Sequence, residues 1–141
     1  MSTIRSILLA LTATAALAAA SATQARDAPM VTFENIAIAP ADGRALTLDK
    51  VKAAIVRAAS SREWAASVKD ARTVRATYTR RGHSAIVDVA YSQSSYSIRY
   101  VDSTGLSYSD KDGKAVIHPT YNKVVTALRQ HIDSQLRAAS R

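Results

Sequence analysis

Residues 71–100 read ARTVRATYTRRGHSAIVDVAYSQSSYSIRY, and their periodicity decides the fold. Val74, Ala76 and Tyr78 alternate with Arg75, Thr77 and Thr79. Ala85, Val87, Val89 and Tyr91 alternate with Ile86, Asp88 and Ala90, and Tyr96, Ile98 and Tyr100 with Ser97, Arg99 and Val101. A period of two sends successive side chains to opposite faces of a sheet. The connections Arg81-Gly82-His83 and Ser92-Gln93-Ser94-Ser95 are short, so the three strands form an antiparallel meander. One face is apolar throughout. The other mixes Arg75, Thr77, Asp88, Ser97 and Arg99, the pattern of a sheet covered on one side only.

Two helices supply the cover. Upstream, Thr47 has the character of an N-cap and Asp49 puts a negative charge in the first turn, where it suits the helix dipole. Val51, Ala54, Ile55 and Ala58 then repeat at helical spacing, and the helix ends near Ser60 and Ser61. Trp64 follows and is expected to pack over the sheet or the helix end. Downstream, Asp110-Lys111-Asp112-Gly113 is a turn, and Pro119 and Thr120 open a second helix, where Pro is tolerated because first-turn amides have no partner within the helix. Tyr121, Val124, Val125, Leu128, Ile132 and Leu136 form the clearest helical stripe in the chain. In residues 31–38 the apolar positions change parity between Phe33 and Ile36, so a strand there carries a bulge or bend. Asp102-Ser103-Thr104-Gly105 breaks the third meander strand, with pairing resuming over Leu106-Ser107-Tyr108. The expected fold is α+β: a small antiparallel sheet of three to five strands with both helices on one face, in the order β-α-β-β-β-α.

The first 25 residues stand apart from this domain. Arg5 precedes an apolar run over residues 7–20, followed by Ala20-Ser21-Ala22 and Thr23-Gln24-Ala25. This is the pattern of a secretory signal peptide, cleaved near Ala22 or Ala25. The run is short and Ala-rich, below the roughly 20 predominantly apolar residues of a spanning helix. Residues 1–25 are therefore read as leader and residues 26–141 as a single exported domain, periplasmic or secreted, with residues 26–29 a flexible mature terminus. The chain has no Cys, so it contains neither a lipidated cysteine nor a disulfide. Its stability has to come from the core.

Nineteen Lys and Arg stand against 11 Asp and Glu, a net charge of +8. Such a balance favours acidic partners: an envelope protein, anionic lipid head groups, lipopolysaccharide or another polyanion. Export and the lack of a reading motif argue against nucleic acid. Among the scattered basic residues of the domain only Arg80 and Arg81 sit side by side.

The segment from His83 to Ile132 resembles an uncharacterised group of small exported proteins and lipoproteins of proteobacteria. Carrying the likeness are Arg80, His83, Tyr91, Tyr96-Ser97-Ile98-Arg99-Tyr100, Ser103, Leu106, Tyr108 and Ile117-His118-Pro119-Thr120-Tyr121-Asn122, then Leu128 and Ile132. The resemblance implies an envelope location and the same fold order, and carries no activity. Members of the group often have a lipidated Cys, absent here, and a Trp where this chain has Lys123.

Chemistry-bearing residues are few. His83, His118 and His131 lack metal-motif spacing and have no Cys to assist, so no metal is expected. Four glycines leave no phosphate-binding loop, and no cofactor is expected. His118, Tyr121 and Asn122 form the most site-like group. They read either as caps and braces of the helix start or as part of a hydrolase-like site with a nearby Ser. Arg75, Asp88 and Arg99 form the other candidate binding set, on the open sheet face, with Asp88 and Arg99 expected to pair across adjacent strands. The six tyrosines read as core aromatics with satisfied hydroxyls or as an interface patch. The expected function is a non-catalytic binding or accessory module of the cell envelope.

Overall fold

The computed structural model describes residues 27–61 and 63–141; the leader, both cleavage points and Arg26 lie outside the described residues. The chain runs β1 (Ala28–Pro29), β2 (Phe33–Ala37), α1 (Leu48–Ala58), β3 (Trp64–Asp70), β4 (Thr73–Arg80), β5 (His83–Tyr91), β6 (Ser95–Thr104), β7 (Ser109–Lys111), β8 (Lys114–Ile117) and α2 (Pro119–Ala139). Strands β2-β6-β5-β4-β3 make a five-stranded antiparallel sheet, and β1-β8-β7 a three-stranded one. The expected α+β class and the meander β4-β5-β6 are present.

Alternation fixes which face is covered. Val74, Ala76, Tyr78, Ala85, Val87, Val89, Tyr91, Tyr96 and Ile98 are buried together with the apolar stripes of both helices. α1 starts where expected: the Thr47 side chain accepts from the Lys50 N–H at 3.2 Å. α2 buries Tyr121, Val125, Leu128, Ile132 and Leu136, with Val124 at the stripe's edge. The Tyr96 hydroxyl donates to Asp133, joining β6 to α2, and the Arg129 guanidinium lies 5.1 Å from the centre of the Phe33 ring. Burial, and then Asp133, push the Tyr96 phenol well above its ordinary range.

The parity change in residues 31–38 is a bulge. Phe33 pairs with Ile98 and Ile36 with Tyr96, and Asn35 takes the left-handed φ of 52° with its N–H bonded to the Ser97 hydroxyl at 2.9 Å.

Three elements differ from expectation. Trp64 is buried as foreseen, with its ring 5.4 Å from that of Tyr78, but it opens an additional edge strand, β3. Residues 28–29 are paired rather than loose: Ala28 opposes Ile117, and Asn122 clamps the following chain. Pairing does not resume over Leu106-Ser107-Tyr108. Leu106 dives into the core, Ser107 turns at φ 52°, and the chain re-enters a different sheet at Ser109.

Candidate functional site

On the open face, Arg75, Asp88 and Arg99 lie side by side in register on β4, β5 and β6. Arg75 donates through Nε to Asp88 Oδ1 at 2.8 Å and through Nη2 to Oδ2 at 3.0 Å. Lys69, the extra residue of a bulge in β3, adds a bond to Oδ2 at 2.9 Å. The expected Asp88–Arg99 pair is not formed. Arg99 turns instead to Glu34 of β2, with bonds of 3.1 and 3.2 Å. Two facts explain the choice: the Asp88 oxygens already accept from Arg75 and Lys69, and β2 brings a carboxylate to the other side of β6. The charges of this face are thus largely neutralised against one another.

The Arg75 hydrogen bonds, helped by Lys69, hold the Asp88 carboxyl below the ordinary carboxylate range. A depressed folded value contributes stability that is present above the unfolded value and lost as pH falls through the folded one. Urea midpoints should therefore fall as pH drops below about 4. In Asp88→Asn this acid loss should be smaller, and stability at neutral pH lower. An unchanged acid limb in the variant would show that Asp88 is not linked to folding.

The start of α2 is structural in its details. His118 Nδ1 accepts from the Thr120 N–H at 3.1 Å, making His118 the N-cap. Asn122 accepts from the Val31 N–H at 3.0 Å and donates to the Pro29 carbonyl at 2.9 Å, which pins β1 beside the helix. Tyr121 is buried, edge-on to Tyr100, and Tyr100 in turn stacks on the exposed Tyr108. The Ser103 hydroxyl is bonded to the Tyr100 hydroxyl at 2.8 Å. Among the described residues no hydrogen bond links His118 to a serine, and no group of three or more potential metal ligands gathers.

Beside this helix start lies a cleft of about 400 Å³, nearly twice the roughly 210 Å³ of the depression around Arg44 and Ser140. Tyr78, Val124 and Ala127 form its base, and its rim carries three cations, Arg80, Arg81 and Lys123, against one carboxylate, Glu63. The β4–β5 hairpin supplies the arginines through a two-residue turn with left-handed φ at both Arg81 (48°) and Gly82 (77°). Such turns favour Asn, Asp or Gly at the position Arg81 holds. His83 continues the wall, its ring centre 5.8 Å from that of His118. Arg80 is paired with Glu63 at 2.7 Å, whereas Arg81 and Lys123 form no ion pair among the described residues. The sequence singled out Arg80 and Arg81 as adjacent, and Lys123 as a departure from a Trp. Only folding brings the two signals together.

Comparison with protein-family models, with curated proteins and with solved structures found no match to this chain.

Proposed function

We propose that the chain is an exported, non-catalytic binding module of the cell envelope, working in the periplasm, and that it takes an anionic partner in the basic cleft beside α2. The carrying observation is the contrast between its two basic surfaces. On the open face Arg75 and Arg99 are committed to Asp88 and Glu34; in the cleft Glu63 engages Arg80 alone, and Arg81 and Lys123 have no acidic partner among the described residues. The leader pattern and the net charge of +8 agree with an anionic envelope component as the occupant. Among the described residues no helix is long and apolar enough to cross a membrane.

Arg81 supplies the test. Its left-handed backbone costs roughly 1–2 kcal/mol in a residue other than glycine or asparagine. Local strain of this kind is retained where it serves a site. Arg81→Asn should therefore raise stability by about 0.5–1 kcal/mol. The same change should weaken binding of a fluorescent hexaglutamate at low salt at least fivefold. The double variant Arg75→Ala/Arg99→Ala should leave that binding within twofold. Loss of binding in the double variant, with none in Arg81→Asn, would move the function to the open sheet face.

A further inference from the structure

The cleft is not uniformly polar. Beneath the rim, its base is the buried Tyr78 together with the half-buried Val124 and Ala127. An isolated anion would use the rim alone and leave this base wet. A ligand that uses both presents negative charge flanking one apolar group. The surface is also elongated. Lys123, Ala127, His131 and Ser134 fall on one stripe of α2, and farther along it His131 and Ser134 line a second depression with Arg57. From position 123 to 134 the helix rises about 16 Å, the span of about five extended residues.

Resting on the reading that the cleft binds an anion, we infer that its occupant is an acidic peptide segment laid along α2, with one large apolar side chain seated on Tyr78, Val124 and Ala127. Charge complementarity at Arg81 and Lys123 steers the segment, and the apolar anchor gives it specificity. Lys123 and Ala127 then have different tasks, one meeting a carboxylate and the other leaving room for the anchor.

The test uses two heptapeptides, each with six glutamates, around a central leucine or a central alanine. Trp64 is the only tryptophan and its ring lies 5.4 Å from that of Tyr78, so its emission reports on the base of the cleft. The leucine peptide should bind at least tenfold more tightly than the alanine peptide, and only it should shift the Trp64 emission. Ala127→Leu fills the base and should cancel the leucine advantage, bringing the two peptides to within twofold of one another. Should that variant fail to fold, the comparison of the two peptides on the unaltered protein still decides. Equal affinity of the two peptides, abolished by Lys123→Glu, would overturn the anchor and leave the anion reading standing. Binding of heparin with neither peptide bound would also overturn the peptide, in favour of a polysaccharide. No binding of any of these probes would overturn both readings.

Discussion

Leu128→Ala should lower the unfolding free energy by about 2–5 kcal/mol, the range for removing a large aliphatic side chain from a close-packed core. Leu128 is 1 % exposed, at the middle of the α2 stripe formed with Tyr121, Val125, Ile132 and Leu136. The stripe faces α1 and the covered side of the sheet, so the cavity left by the truncation has no solvent side from which to fill. Gln130, exposed on the opposite side of the same helix, is the control: Gln130→Ala should stay within about 0.5 kcal/mol. Urea denaturation of both variants measures the difference directly. Equal midpoints for the two would mean that α2 packs through another face.

Gly105→Ala should cost about 2–3 kcal/mol, because two penalties coincide there. Gly105 has a φ of +71°, a region that alanine occupies only with strain. A Cβ added to it would also lie 2.7 Å from the Gly82 carbonyl oxygen and 3.2 Å from the His83 ring, and the first neighbour is backbone. Gly43 separates the two terms. Its φ is +72° and nothing lies within 4 Å of its added Cβ, so Gly43→Ala should show the backbone penalty alone. Because Gly82 and His83 belong to the turn that carries Arg81, Gly105→Ala should also weaken hexaglutamate binding, although no cation is changed. A Gly105 variant no less stable than the Gly43 variant would show that the two loops do not touch.

How much of this was legible in the sequence depended on the range of the interaction. The meander strands, both helices, the Thr47 cap and the bulge before Ile36 rest on local periodicity and local hydrogen bonding, and all are present. β3 was missed although Trp64, Ala66 and Val68 do alternate with Ala65, Ser67 and Lys69. Small side chains make the alternation faint, and an edge strand needs little burial: Val68 is 53 % exposed. β1 and β8 pair through residues almost ninety positions apart, a contact with no short-range signature. The partner of Arg99 is not legible locally, because register identifies which residues lie opposite and says nothing of competition. Asp88 is opposite Arg99, yet Arg75 and Lys69 occupy its oxygens. The cleft was out of reach for the same reason as β1: Arg81 and Lys123 meet only because α2 begins beside the β4–β5 turn.

His118, Tyr121 and Asn122 were singled out as a group, and the structure gives each a structural employment at the start of α2. The most informative neighbour was Lys123, one position farther on and facing the cleft.

The most direct measurement is in-cell photo-crosslinking from Thr120, which lines the cleft, and from Thr77, which lies on the open face of β4. The cleft reading predicts one dominant adduct from position 120, its loss on Arg81→Glu, and none from position 77. An adduct from position 77 alone, or one from position 120 that survives Arg81→Glu, would contradict it.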